Sequence, residues 1–506
     1  MSNDLSTDRF IAVDFGSSHI KVAVGSTTGQ PDIVVRTPVN YFHPVDAPET
    51  ALEFEPGQTL TLIIETIQRA LAESEIETDL VKGIGITSQR QGLVLIGFEQ
   101  QVLYGGPNKD LRAIFEGGEI DSDPDVDLWE LTGHGPGMLT AWARIKWFSE
   151  NMPRVFEKMR VACSISDWIG YELTGELLLD QTQGVESGLA MLATGAGADG
   201  IASQLGLSQI ELPADVPSGT TIGNLKNELA DQLGLDRGTR VVTCGPDTQT
   251  GLIGLGVQLP HATGIVAGWS TAVQRVLDRP VFDDTRAMWT GRHVLPNRWV
   301  LEGNAGETGG TYRWLMELLY GSATDEQVMN TVDETIGDLP AGESGITSFL
   351  GPAFTNMANL GLRTGGILLP VPISFEPPDR LKLLRSALEN FAFGIRHNVE
   401  RLNSFRGPTA GIAVGGGMVK TNSFSKILAS VLGSEIKVAP SGEATSAGTL
   451  SITASAIGRG PSLAEIALVR SSELEKVAPT ASESAIYEDM YHEWRHKERM
   501  LENLEL

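Results

Sequence analysis

A two-domain α/β protein is what this sequence predicts, from its length, its alternation of strand-like and helix-like runs, and a hairpin pattern that returns in its second half. At 506 residues the chain exceeds what one hydrophobic core supports, so two domains of roughly 250 residues each are expected. Phe10 to Val13 is apolar, Asp14 to His19 is a polar glycine turn, and Ile20 to Val24 resumes with alternating character, a β-hairpin pattern. Gln58 to Leu71 then sets Leu60, Ile63, Ile64, Ile67 and Leu71 at helical spacing, and Lys82 to Thr87 reads as a buried strand. The hairpin pattern recurs at Thr263 to Val276 around Gly268-Trp269-Ser270-Thr271, as expected of a duplicated architecture. Arg240 to Cys244 reads as a strand closed by Gly245-Pro246-Asp247, with a glycine-rich helix over Thr248 to Val257. The division is expected here, giving domains 1–252 and 253–506. From Ser471 onward, charged residues with Tyr487, Tyr491 and Trp494 at helical spacing predict a surface helix on the C-terminal domain, with no catalytic group in it.

Composition narrows the function. With 41% hydrophobic residues and 57 glycines spread along the chain, the sequence is that of a packed α/β enzyme and not of a disordered or fibrous protein. A formal charge of -26 argues against a nucleic-acid partner, whose phosphates require a basic stripe. An acidic protein that binds an anion must gather positive character locally, and backbone N–H groups in glycine turns do so without lysines. Cys163 and Cys244 are too few for a disulfide framework or a four-thiolate zinc site, which fits a reducing cytoplasm. The polar N-terminus matches neither a signal peptide nor an anchor, and no run reaches the roughly 20 apolar residues of a membrane helix.

Five places could carry chemistry. In Asp14-Phe15-Gly16-Ser17-Ser18-His19-Ile20-Lys21, Gly16 lets the backbone approach phosphate oxygens, Ser17, Ser18 and Lys21 add donors, and Asp14 can hold a magnesium ion through water. An ordinary polar turn, with His19 bonded inside it, is the alternative. Gly268, Ser270 and Thr271 could form a second phosphate turn, although a glycine and two hydroxyls are common in turns. Asp247 stands just past a strand end where a helix begins. A carboxylate there can take the proton of an attacking hydroxyl, or can simply cap the helix. Gly415, Gly416 and Gly417, followed by Asn422, would let a flat nucleoside lie on bare backbone, and three adjacent glycines are costly to order without a reason. Gln89, Arg90 and Gln91, with Asn108, Asp110 and Arg112, offer the mixed donors and acceptors that a polyhydroxylated substrate needs, unless Asp110 and Arg112 are a structural ion pair.

Taken in order along the chain, these residues resemble the FGGY carbohydrate kinases. Asp14-x-Gly16 with Lys21 looks like the family's first phosphate motif, Gly85-Ile86-Thr87-Ser88-Gln89-Arg90-Gln91-Gly92 like its substrate loop, Gly245-Pro246-Asp247 like its base motif, and Gly415-Gly416-Gly417 with Asn422 like its adenosine motif. Ser166-Asp167-Trp168-Ile169 through Gly175-Glu176, with Asp180, is similar to a stretch of the family's substrate domain. The resemblance implies two ribonuclease-H-like domains of the actin-like ATPase superfold with a cleft between them. It implies ATP and Mg2+, Asp247 as general base and catalytic residue, Asp14 as the magnesium carboxylate, and Gly268 to Thr271 near the transferred phosphate. Trp269 departs from the Gly-Thr-Ser usual at that second phosphate motif. The loops look most like the xylulokinase-like and autoinducer-2 kinase branches, which implies a ketopentose or an open-chain acceptor. Asn108 stands where glycerol kinases carry a tryptophan, so glycerol or another polyol is the second choice. A non-catalytic, nucleotide-dependent sugar-binding or regulatory protein is the alternative of another class, and a small-molecule partner with a possible homodimer completes the expectation.

Overall fold

The computed structural model describes residues 7–321, 325–360, 364–373, 377–439 and 441–502; the first six residues, part of the polar N-terminus, lie outside this set. The chain folds into two compact units. The first comprises Met1–Gln258, Leu277–Val300 and Ala444–Arg470, the second Leu259–Val276, Leu301–Glu443 and Ser471–Leu506. Where the sequence places a single division at 252/253, the chain returns twice to the first unit after residue 258.

Each unit is built on one mixed sheet. In the first, the strands lie in the order Thr221–Asn224, Arg240–Pro246, Val81–Ser88, Arg9–Phe15, His19–Ser26, Pro31–Pro38. Arg9–Phe15 and His19–Ser26 form the expected antiparallel hairpin, while Arg9–Phe15, Val81–Ser88 and Arg240–Pro246 run parallel to one another. Parallel neighbours need a crossover, and the first is supplied by the helix Pro56–Ser74, which starts on its proline and is capped by the Glu55 carboxylate on the Gly57 and Gln58 amides. This helix buries Ile63, Ile64 and Ile67 against the strands, as its periodicity predicts.

The second unit repeats the plan. Trp299–Asn304, Thr271–Leu277, Ala262–Ala267, Gly411–Gly415, Ile436–Val438 and Glu475–Val477 are neighbours in that order, with a hairpin of Ala262–Ala267 and Thr271–Leu277. Ala262–Ala267, Gly411–Gly415 and Ile436–Val438 run parallel, and the last strand is antiparallel. A hairpin, a third strand outside it, two parallel strands and an antiparallel edge thus occur in the same order in both sheets. The C-terminal helix Ala481–Glu502 packs in the second unit and buries its predicted stripe, Tyr487, Tyr491 and Trp494, around Phe393.

Small residues decide how the helix Ala444–Ala456 seats on the first sheet. It is buried along almost its whole length, and it meets the helix Asp247–Gly254 backbone to backbone. A Cβ on Gly254 would stand 1.9 Å from the Ala444 carbonyl oxygen, and one on Gly448 1.9 Å from that of Thr250. The sheet beneath is also bare, because Gly85 faces Thr449 and Thr453 at distances that admit no side chain. The Thr445 hydroxyl donates to the Asp247 carbonyl at 3.1 Å, tying this helix to the start of its partner. Gly448→Ala is therefore expected to destabilise the protein by about 1–3 kcal/mol through overpacking, read as a lowered midpoint with unchanged slope in urea denaturation.

Candidate functional site

The parallel register of the first sheet brings three polar segments to one end. Phe15 pairs with Ser88, and Ser88 with Pro246, so the turn after Asp14, the loop Gln89–Gln91 and Asp247 all leave the carboxyl ends of neighbouring strands. The register of Arg240–Pro246 slips between Thr243 and Pro246. Gly245 there has φ +82, and a side chain on it would press on the Ser218 hydroxyl. The Thr87 hydroxyl donates to the Gly245 carbonyl at 2.6 Å, fixing this bulge to the adjacent strand. Asp247 follows as the first residue of the helix Asp247–Gly254, with Pro246 as N-cap, and its Oδ1 accepts the Thr248 amide at 2.8 Å.

Asp247 is partly buried and keeps some accessible surface. Burial and the neighbouring Asp14 charge push its carboxyl up to about 7, against the pull of Arg90, Lys21 and the Thr248 amide. Asp14 is 2% exposed. Its Oδ2 accepts from the Lys21 ammonium at 3.2 Å across the hairpin, and its buried Oδ1 has no hydrogen-bond partner. In the turn itself, the Gly16 amide donates to the His19 carbonyl at 3.0 Å, and His19 Nδ1 lies 3.0 Å from Ser18 Oγ, so His19 bonds within the turn.

The loop after Val81–Ser88 is held from several sides. Gln91 adopts φ +57, an uncommon conformation for a residue with a side chain. Arg144 donates to its carbonyl and to that of Pro107, and Gln89 Oε1 accepts the Asn108 amide at 3.2 Å. Asn108 therefore does sit beside Gln89. Gln91 Nε2 and Asn108 Oδ1 are buried without a partner, which leaves one donor and one acceptor for a ligand to satisfy.

Asp110 and Arg112 behave otherwise. Arg112 Nε lies 2.8 Å from Asp110 Oδ2 and its NH2 group 2.6 Å from Glu53 Oε1, and its guanidinium packs on the rings of Tyr104, Trp147 and Phe148. Tyr104 also donates to Asp110. Both charges are neutralised inside the protein, at 2% and 3% exposure. This corrects their expected place among groups facing a sugar: they form the buried ion pair that anchors the loop.

Four further residues, Glu186, His134, Gln249 and Trp289, gather around Arg90. Glu186 lies in the helix Gln181–Ser187, its Oε2 3.2 Å from Arg90 NH1 and 3.2 Å from His134 Nε2, and its Oε1 accepts from Gln249. Trp289 lays its ring against the Arg90 guanidinium, 5.3 Å from the ring centre. These come from separate segments with no local motif, and only a tertiary arrangement reveals them.

Asp167 and Asp180, singled out by the sequence, are supports. Asp167 completes a capping box with Ser164 on the helix Ile165–Thr174, and burial with the nearby Asp180 charge pushes its carboxyl up to about 7. Asp180 accepts from the Thr182 and Gln183 amides and from the Ser218 and Thr243 hydroxyls. It thereby joins the helix carrying Glu186 to the strand leading to Asp247.

In the second unit, the turn Gly268-Trp269-Ser270 closes the hairpin, the Gly268 amide donating to Ser270 at 3.0 Å. Thr271 is buried and its hydroxyl lies 2.6 Å from that of Thr308. The Trp269 indole lies over Gly310 in the first turn of the helix Thr308–Tyr320, where a Cβ would stand 2.7 Å from Cε2, and the Gly310 amide donates to the Trp269 carbonyl. Gly415 ends its strand opposite Val266. Gly416, at φ +104, touches the Ala267 backbone so closely that a Cβ would lie 2.3 Å from its carbonyl oxygen. The second turn and Gly415–Gly417 are thus adjacent, as a nucleotide site on both requires. At the helix Asn422–Leu432, Asp333 accepts the Asn422 and Ser423 amides, so those donors are already engaged. Asn422 also lines a cavity of about 590 Å³ with Lys420, Ser425 and Lys426.

Known proteins place this arrangement. Residues 9–254 match the N-terminal domain and residues 264–457 the C-terminal domain of the FGGY family of carbohydrate kinases. The YoaC protein of Bacillus subtilis is 30% identical over 394 residues, 78% of each chain. An autoinducer-2 kinase of Salmonella paratyphi A is 26% identical over 502 residues, covering 96% of this chain and 93% of that one. The ligand-bound xylulose kinase of Lactobacillus acidophilus has the same fold, with a TM-score of 0.82 at 18% identity over 98% of this chain and 99% of its own. Asp180→Ala, which strands four donors next to the site, is expected to cost about 3 kcal/mol or more, seen as a fall in the thermal midpoint.

Proposed function

Because this chain belongs to the FGGY family of carbohydrate kinases, ATP-dependent enzymes that phosphorylate sugars, we propose that Asp247 is its general base and that its acceptor is a small open-chain polyhydroxylated ketone, of the ketopentose or autoinducer-2 type. The observation that carries this reading is the Asp247 carboxyl itself, at the common end of three parallel strands, with burial and Asp14 pushing it up to about 7. A base that titrates near neutrality can accept a hydroxyl proton while remaining mostly deprotonated in mildly basic solution. Beside it, Arg90, Gln91 Nε2 and Asn108 Oδ1 supply the mixed hydrogen-bonding groups that sugar hydroxyls and a carbonyl need. The likeness to autoinducer-2 kinases over nearly the whole chain supports the open-chain acceptor.

In this reading the substrate hydroxyl is held by Arg90 and the loop Gln89–Gln91 and gives its proton to Asp247 as its oxygen bonds to the terminal phosphorus of ATP, while the bond from that phosphorus to the bridging oxygen breaks and ADP leaves. Gly268, Ser270, Gly415, Gly416, Gly417 and Asn422 form the nucleotide side, and Gly16, Ser17, Ser18 and Lys21 the first phosphate turn. Thr271 supports the second turn from beneath through Thr308. Asp14 suits Mg2+: its buried Oδ1 lacks a partner, and a cation held by one carboxylate completes its shell with water and phosphate. That fits the described residues, among which no group of three acidic, histidine or cysteine ligands gathers. Bound there, Mg2+ would neutralise charge on the phosphates during transfer. Among the described residues no helix is long and apolar enough to cross a membrane. We place the enzyme in the cytoplasm as a small-molecule kinase, without a nucleic-acid partner.

Two measurements test this. Asp247→Asn should lower kcat by roughly 10²–10⁴-fold in an ADP-release assay across ketopentoses, autoinducer-2 precursor and glycerol, while sugar and nucleotide still bind by calorimetry; turnover within about threefold of the parent would sink the base assignment. For the parent enzyme, protonation of Asp247 removes the base. The sign therefore puts an acid limb on kcat/KM that falls as pH drops below about 7, about tenfold per unit, and the limb should vanish in Asp247→Asn.

A further inference from the structure

Arg90 is constrained on two sides by groups that no local motif announces. Along its edge, NH1 meets Glu186 Oε2 at 3.2 Å; across its face lies the Trp289 ring, 5.3 Å from the guanidinium carbon to the ring centre. Each constraint is itself anchored. Glu186 is 2% exposed, shares Oε2 with His134 at 3.2 Å and takes the Gln249 amide on Oε1. Although burial pushes its carboxyl up, His134 and Arg90 hold it below the ordinary carboxylate range, so it stays an anion at neutral pH. Trp289 donates its indole N–H to the Gly135 carbonyl at 2.7 Å, and the His134 ring packs on it at 5.1 Å. Gly291, two residues on, has no room for a side chain, since a Cβ would stand 2.4 Å from Glu186 Oε1.

An arginine gripped in its plane by a carboxylate and on its face by an indole has one orientation, whereas an exposed one samples many. The two grips come from the helix Gln181–Ser187 and the strand Trp289–Arg292, and both are far from Arg90 in sequence. We infer that Glu186 and Trp289 are positioning residues for acceptor binding: together they fix the Arg90 guanidinium in the pose that holds the sugar, and neither touches the sugar itself. This rests on the reading of Arg90 as an acceptor contact. Ordering the guanidinium in advance removes a rotamer-entropy cost from sugar binding, and the benefit falls on the acceptor and not on ATP.

The test is steady-state kinetics on the full-length enzyme with the best acceptor of the panel, for Arg90→Ala, Glu186→Gln, Trp289→Leu and the double variant Arg90→Ala/Glu186→Gln. Glu186→Gln and Trp289→Leu are each expected to raise the acceptor KM about tenfold, with the ATP KM within about twofold of the parent. The double variant should be no worse than Arg90→Ala alone, since Glu186 acts only through Arg90. If Glu186→Gln folds poorly, as its thermal midpoint would show, Trp289→Leu and its double variant with Arg90→Ala carry the same comparison. The inference is overturned if the acceptor and ATP KM values rise together, if the acceptor KM is unchanged, or if the losses in the double variant simply multiply. An acceptor KM that Arg90→Ala leaves untouched would instead remove Arg90 from the acceptor site, and with it the reading on which the inference stands.

Discussion

The parallel register of Arg9–Phe15, Val81–Ser88 and Arg240–Pro246 is the constraint on which the rest of the first unit depends. Because Ser88 lies between Phe15 and Pro246, the three strands end level, and whatever follows each of them is delivered to one place. A slip of one residue in any strand would turn its side chains to the opposite face. The Gly245 bulge, tied by the Thr87 hydroxyl, gives the last strand the extra bend that converts it into a helix with Asp247 at its first position. Beneath, the glycine-lined seat of the helix Ala444–Ala456 fixes the same helix start from the other side. Glycine is needed at these contacts for lack of space, and at Gly245 for conformation as well.

The electrostatics of the site follow from crowding like charges in a partly dry place. Asp14 and Asp247 repel each other, which with burial raises the Asp247 carboxyl, and the nearby cations limit the rise. Arg90 answers to two anions at once, Glu186 by contact and Asp247 through space. Deeper in the unit, Asp167 and Asp180 form a second acidic pair, satisfied by hydroxyl and amide donors and by no cation among the bonds they make. The first pair leaves an oxygen of Asp14 without a partner; at Asp180 each oxygen is engaged. That difference separates a pair that keeps an unsatisfied oxygen from one whose oxygens are spent on holding strands and helices together.

The hairpins, the strand before Asp247 and the long helix Pro56–Ser74 were legible in the sequence, since alternation, glycine turns and helical spacing are local signals. So were Asp14, Arg90 and Asp247, each set next to a strand end. The role of Asp110 and Arg112 was not: two residues apart and oppositely charged, they read equally well as a substrate pair or as a structural one. Glu53 and three aromatic rings, brought from elsewhere in the chain, decide between the two. The return of Leu277–Val300 and Ala444–Arg470 to the first unit was likewise invisible, because a helix of small residues carries no amphipathic stripe to say which sheet it covers.

By itself, then, the sequence determined the repeated α/β plan, the order of the motifs and the chemical types at the strand ends, because these depend on neighbours within a few residues. Only the tertiary structure decided which charges face one another. It set Glu186, His134, Gln249 and Trp289 around Arg90 and closed Arg112 within its own partners. It also placed Asp14 near enough to Asp247 to shift its carboxyl. Coulomb forces, burial and ring contacts act over a few ångströms of space and take no account of distance along the chain.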